Sequence, residues 1–232
     1  VVWFRVPRSP GDPEGAMARF GGGRIVVLLD RDDHWQAGYV IPKGTFPELR
    51  RAGIEGLKVG FAELFPELSD RLDALGDRRQ VSLLSVESSR CRRWHRPGLL
   101  LIGDAAHVMS PVGGVGINYA IGDAVVAANV LAGPLRECQE RLVALPERHL
   151  AAVQRRREPP VRTIQALQAL VQRRVLAPAL AAGRPFAPPL PLRLLSRAPL
   201  LRSLPARIIG FGPLPARVDL PQAGVERAGP PG

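Results

Sequence analysis

Cysteine is scarce in this 232-residue sequence: only Cys91 and Cys138 are present. Their surroundings are unlike each other and neither falls in a metal-ligand spacing. A disulfide scaffold and a zinc framework are therefore excluded, and two lone thiols fit a reducing, cytoplasmic compartment. Long apolar runs are missing too. None reaches the ~18 residues that a membrane-spanning helix requires. The start, VVWFRVPRSP, has no initiator Met, no basic lead and no apolar core, so it offers nothing that reads as a secretory signal. His34, His95, His107 and His149 share no spacing that suggests a metal site. Ser110 has no G-x-S-x-G elbow around it, which removes a hydrolase of that type. No RNA-reading aromatic motif and no helix-turn-helix pattern is visible, so no specific nucleic-acid partner is expected.

What is present describes a globular chain. Hydrophobic residues make up 46%, enough for a sizeable core in one large or two smaller domains. The net charge of +11 is unevenly placed. Residues 1–146 hold 18 basic and 17 acidic side chains, whereas residues 147–232 hold 14 basic, all Arg, and 4 acidic. The plain reading of that tail is a solvated basic face. A peripheral contact with an anionic surface stays open.

The order of elements reads as mixed α/β. VVWFRVP is a first strand, RIVVLL a second beginning at Arg24, and Trp35 to Ile41 a third; the last two are expected to form a hairpin. Residues 7–15 read as loop, and Gly21-Gly22-Gly23 as a hairpin or loop connection. Residues 47–64 are expected as one or two helices, 68–75 as a further helical piece and 80–87 as a strand. A fully apolar strand at 99–102 suggests burial on both faces. A helix at 117–132 is expected to stop at Gly133-Pro134. Helices at 145–158 and 161–176 are expected to be divided by Pro159-Pro160. This gives segments at 1–95 (a β-sheet layer with helices), 96–135, 136–220 (helical) and a disordered tail at 221–232.

The chemistry concentrates in GDAAHVMSPVGGVGINYAIGDAVVAANVL, which begins at Gly103. Asp104 follows a buried strand, where ligands of α/β folds sit. Its carboxylate is an acceptor, suited to hydroxyl groups of a sugar or polyol. Pro111, Gly113, Gly114, Val115 and Gly116 then form a loop in which backbone can approach a flat ligand closely. The helix from Ile117 and Asn118 adds unpaired N–H groups and a positive dipole end, suited to an anionic ring or a phosphate. Ala120, Ala124, Ala127 or Ala128, and Leu131 share one face, so this helix can lie close against another segment.

That segment resembles the second flavin-binding motif of the class A flavoprotein monooxygenases, the para-hydroxybenzoate hydroxylase-like family. The match has no departures at the Gly-Asp, Pro, Gly-x-Gly and Asn positions. The resemblance implies a partial FAD-binding domain of the Rossmann-like, glutathione-reductase type, with a β-sheet substrate layer and a C-terminal helical segment. It implies that Gly103 and Asp104 meet the ribityl chain of FAD. Pro111, Gly113, Gly114, Val115, Gly116, Ile117 and Asn118 would line the flavin ring. It further implies NAD(P)H as reductant and hydroxylation, with O2, of an aromatic or other small organic substrate.

The family's opening G-x-G-x-x-G turn and its middle Asp-Gly motif are absent from this sequence. The expectation is a C-terminal part of a longer reading frame that binds FAD weakly or not at all when isolated. Two alternatives accompany it: a non-catalytic product with a basic, anion-binding tail, and a flavin-dependent reductase or halogenase of the same fold. No catalytic residue is assigned. His107 reads as packing with a loop hydrogen bond, and Asp123 as a first-turn dipole contact or a contact with a missing domain. Trp3, Arg5, Trp35 and Tyr39 lie on the expected substrate sheet, with core packing favoured for both Trp residues. Lys43 and Arg93 are candidates for touching cofactor or substrate.

Overall fold

The computed structural model describes residues 1–85, 87–181 and 216–219. They fall into two compact units, one built mainly from residues 1–85 and 170–181, the other from 87–169 with 216–219.

The first unit is organised by a five-stranded antiparallel sheet of order β2-β3-β4-β1-β5. Its strands are β1 (Val2–Pro7), β2 (Ala16–Gly21), β3 (Arg24–Arg31), β4 (His34–Val40) and β5 (Ser82–Leu83). The β3–β4 hairpin forms as expected, with Asp32 at φ 62° in its turn. β2 was not foreseen, because residues 16–21 carry only a weak alternation. The turn behind it was legible: Gly22 and Gly23 have φ 55° and 70°, the left-handed pair that a two-residue hairpin needs. The expected strand at 80–87 shrinks to two residues. Leu83 and Leu84 are about half exposed, and the Ser-rich stretch after them has little apolar surface to bury.

The register sorts the sheet's side chains. Val2, Phe4 and Val6 of β1 pair with Tyr39, Ala37 and Trp35 of β4, and all six are buried. This face packs on helix α1 (Phe46–Ala62) and on a 3-10 segment, Pro66–Ala74. α1 breaks its helical geometry at Gly53, whose φ of 73° favours glycine. A Cβ at Gly60 would overlap the Tyr39 hydroxyl, so glycine lets α1 lie on β4. Phe61 centres the core, edge-on to Phe4 at 5.6 Å and stacked on Phe65 at 5.5 Å. At the sheet's end, Asp12 accepts Trp35 Nε1–H at 3.0 Å and is clamped by Arg71 at 2.5 and 3.0 Å. The Arg71 hydrogen bonds hold its carboxyl well below the usual carboxylate range. A π-helical turn, Gln172–Leu176, leads into α4 (Ala177–Ala181), which lies against β2 and β3.

The second unit has two small antiparallel ladders and two long helices. β6 (Ser89–Arg90) pairs with β9 (His107–Val108), and β7 (His95–Arg96) with β8 (Leu99–Leu100). The strand expected to be buried on both faces is this β8. It is two residues long, with Leu99 50% exposed, because β7 is its only ladder partner among the described residues. Helix α2 (Gly116–Arg141) runs through Pro134, and α3 (Glu147–Val171) runs through Pro159 and Pro160. Both expected breaks are thus corrected. A helical proline withholds an N–H and frees the carbonyl four residues back. In α3 the freed carbonyls belong to Arg155 and Arg156, both exposed residues. The Pro159 carbonyl accepts the Thr163 hydroxyl at 3.0 Å. The tail expected to be disordered, at 221–232, lies outside the described residues.

Phe61→Ala is expected to lower the unfolding free energy by about 3–5 kcal/mol in urea denaturation, and Phe61→Leu by less than about 1.5 kcal/mol. Equal losses from the two would contradict the aromatic packing described.

Candidate functional site

The candidate site grows from a short turn in the second unit. Gly103–Ala105 forms one 3-10 turn, with Gly103 at φ 58° and Ala106 N–H donating back to the Gly103 carbonyl at 2.9 Å. Gly103 is buried against α2: a Cβ there would lie 3.1 Å from Ala120 Cβ. Asp104, next in the chain, is exposed. The turn therefore holds its backbone inside and presents one carboxylate outward, beside the first turns of α2.

A second loop leads into α2. Met109 and Ser110 are buried, and Gly114 N–H closes a turn on the Pro111 carbonyl at 2.9 Å. Gly113 and Gly114 have φ 83° and 63°, a path that favours glycine at both. Val115 is buried and anchors the helix start. Pro111, Gly113, Gly114, Ile117 and Asn118 are exposed, and Gly116 is half-buried. Val115, at the N-cap of α2, makes no side-chain capping hydrogen bond. A Cβ added at Gly114 or Gly116 would meet nothing within 4 Å. Backbone here faces open space, with the positive end of a 26-residue helix behind it. These features fit a ligand with a polyol chain and a flat, electron-rich ring. The acid would take hydroxyl groups, and the loop and helix start would take the ring edge.

Sequence reasoning missed what holds these two loops. Asp123, fully buried on α2, accepts three hydrogen bonds: His107 Nε2–H at 2.6 Å, Arg157 Nε–H at 2.7 Å and the Gly103 N–H at 2.9 Å. Arg157 Nη2–H also donates to the Tyr119 carbonyl at 3.2 Å. The expectation of a first-turn dipole contact for Asp123 is corrected: its partners are side chains and a turn, two helical turns into α2. His107 fits the packing role expected of it, buried against Trp94 with ring centroids 5.0 Å apart. Burial pushes the Asp123 carboxyl up. The hydrogen bonds from His107, Arg157 and Gly103 outweigh that and hold it below the ordinary carboxylate value.

α3 supplies further backbone anchors. Gln168 Nε2–H donates to the Ser110 and Val112 carbonyls at 2.8 and 2.9 Å. Gln165 does the same for Ser89 and Val108 at 3.0 and 3.1 Å. Gln154 accepts Trp94 N–H at 2.9 Å and donates to the Arg92 carbonyl at 3.0 Å. The available signal was positional. Gln154, Arg157 and Gln168 fall at helical spacing on the same buried stripe as Leu150, Val161 and Ile164. Polar residues on an apolar stripe call for fixed partners.

Other candidates separate. Trp35 and Tyr39 point into the core of the first unit. Trp3 pairs with Gly38 and Arg5 with Gln36, which places Trp3 and Arg5 on the sheet's opposite, partly open face. Lys43 is exposed. Arg93 pairs with Glu147 at 2.5 Å, and that carboxylate also meets His95 at 2.8 Å. No group of three or more His, Cys, Asp or Glu is placed to hold a metal among the described residues. No helix among them is long and apolar enough to cross a membrane.

An exposed acid on a tight turn and a glycine loop leading into a long helix are features of a cofactor-binding α/β protein. The FAD binding domain family matches residues 5–158. The 6-methylpretetramide 4-monooxygenase of Streptomyces rimosus is 36% identical over 228 residues, 97% of this chain and 52% of that protein. The aklavinone 12-hydroxylase DnrF of Streptomyces peucetius is 52% identical over 52 residues, 22% of this chain and 11% of that one. Among solved structures, PqsL of Pseudomonas aeruginosa, a probable FAD-dependent monooxygenase, aligns with a TM-score of 0.59 and 21% identity. That alignment covers 78% of this chain and 51% of PqsL. The chain belongs to the FAD binding domain family. It spans about half the length of the Streptomyces rimosus relative.

Arg157→Met leaves Asp123 as a buried carboxylate short of its main cationic partner. It should cost about 3–5 kcal/mol of stability. Because the folded Asp123 carboxyl titrates below its unfolded value, the stability it contributes is fully present above about pH 4. That contribution is lost as pH falls through the lowered folded value. Asp123→Asn should flatten this acid limb in urea denaturation measured across pH, and an unchanged limb would contradict the assignment.

Proposed function

We propose that this chain contributes the ribityl- and ring-binding half of the cofactor site in an FAD-dependent monooxygenase. The enzyme would hydroxylate an aromatic or other small organic substrate with NAD(P)H and O2. The observation that carries this reading is the exposed Asp104 held beside the open glycine loop that leads into α2. The substrate class is supported by the relatives named for 6-methylpretetramide and aklavinone.

In this reading Asp104 accepts hydroxyl groups of the ribityl chain, with Gly103 giving the turn its shape. Pro111, Gly113, Gly114, Val115, Gly116, Ile117 and Asn118 lie along the ring. Backbone N–H groups at the start of α2 favour negative charge on the ring edge. When bound, FAD supplies the redox and oxygen chemistry, and the chain's residues bind it, orient it and bias its charge. The free thiols Cys91 and Cys138 fit a reducing, cytoplasmic setting.

The test uses the intact gene product that carries this chain. Purified protein should show the visible absorbance bands of bound oxidised flavin. NADH or NADPH should bleach those bands, and air should restore them. Asp104→Ala should lower flavin affinity about tenfold or more, the effect of losing charge-assisted hydrogen bonds. Normal flavin content in Asp104→Ala would sink the role given to that residue, and absence of flavin from the wild type would sink the whole reading.

A further inference from the structure

Asp104 is exposed, and the turn that carries it is held by a buried group outside the flavin-facing set. Both Asp123 oxygens are committed: Oδ1 to Arg157, and Oδ2 to His107 and to the Gly103 N–H. The last of these is the amide immediately before Asp104. Geometry on α2 is shaped around this arrangement. A Cβ at Gly122 would sit 2.9 Å from Arg157 Nη2, so glycine leaves room for the guanidinium. A Cβ at Gly103 would press on Ala120 from the other side. Arg157 also takes the Tyr119 carbonyl, in the first turn of α2, at 3.2 Å. One buried ion network therefore ties together the strand-end turn, the helix start and α3.

We propose that Asp123 is a positioning residue for the flavin site: through the Gly103 N–H it sets the turn that aims Asp104, with Arg157 and His107 holding its carboxylate in place. The proposal rests on the flavin reading of Asp104. The carboxylate is an acceptor only, so His107 carries its proton on Nε2, and the carboxylate oxygens have no freedom to turn from Gly103. A buried charge so paired cannot relax without uncovering Arg157 as well, which makes the turn stiff. Preset geometry of this kind spares the ligand the cost of ordering the turn on binding.

The test combines amide hydrogen exchange with FAD titration of the intact gene product in four forms: wild type, Asp104→Ala, Asp123→Asn and the double variant. Asp123→Asn should speed exchange at the Gly103 and Ala106 amides by about tenfold or more, leaving β3 and β4 amides of the first unit unchanged. It should weaken FAD binding by about tenfold or more. The double variant should bind FAD no worse than Asp104→Ala alone, because Asp123 acts through Asp104. Unchanged exchange at the turn, or losses that multiply in the double variant, would overturn the proposal. If Asp123→Asn does not fold, Arg157→Lys is read instead. It keeps the charge but loses the Nε–H contact, and faster exchange confined to the turn is again the supporting result and unchanged exchange the overturning one. A wild type that binds no FAD refutes the flavin reading alone, and the exchange measurement then decides by itself whether Asp123 fixes the turn.

Discussion

The second unit depends on one buried carboxylate. Asp123 has no access to solvent, and an isolated charge in such a place would be expelled or neutralised. It stays because an arginine, a histidine and a backbone amide reach it from α3, β9 and the Gly103 turn. The Gly103 turn and β9 are neighbours in the chain, but Arg157 on α3 lies 34 residues beyond Asp123. Once they meet at Asp123, the strand-end turn, the start of α2 and the middle of α3 have little freedom left. The exposed Asp104 inherits that rigidity without being part of the network.

Glutamine side chains on α3 extend the same logic along the unit. Gln154 and Gln168 bind loop backbone and Gln165 binds the short strands β6 and β9, so segments with little ladder of their own are held by a helix. This explains why β6 to β9 can be two-residue ladders and still lie in defined places. It also explains why α3 does not break at Pro159-Pro160. Its buried stripe continues through Pro160 and Val161, and the residues whose carbonyls the prolines free are exposed. The first unit uses a different principle, an aromatic core under one face of a sheet, with the partly open face carrying Trp3 and Arg5.

Much of this was legible in the sequence, for identifiable reasons. Gly-Asp at a strand end and paired glycines before a helix are local features, and the structure places them as a turn and a loop beside α2. The β3–β4 hairpin was legible through its polar Asp turn and apolar flanks. What could not be read depended on distant partners. Asp123 looks like any acid on a helix until Arg157, 34 residues on, is seen beside it. Pro134 and Pro159-Pro160 read as stops because local propensity says so, and tertiary packing overrides it. The division of Trp3 and Arg5 from Trp35 and Tyr39 needed the strand register, which no single strand contains.

If Asp104 and the loop before α2 hold a flavin, an experimental structure of the intact gene product with FAD bound shows it directly. The Asp104 carboxylate should lie within hydrogen-bond distance of ribityl hydroxyls, and the ring edge should lie against residues 113–118. Flavin seated elsewhere, or Asp104 turned away from it, would overturn this reading.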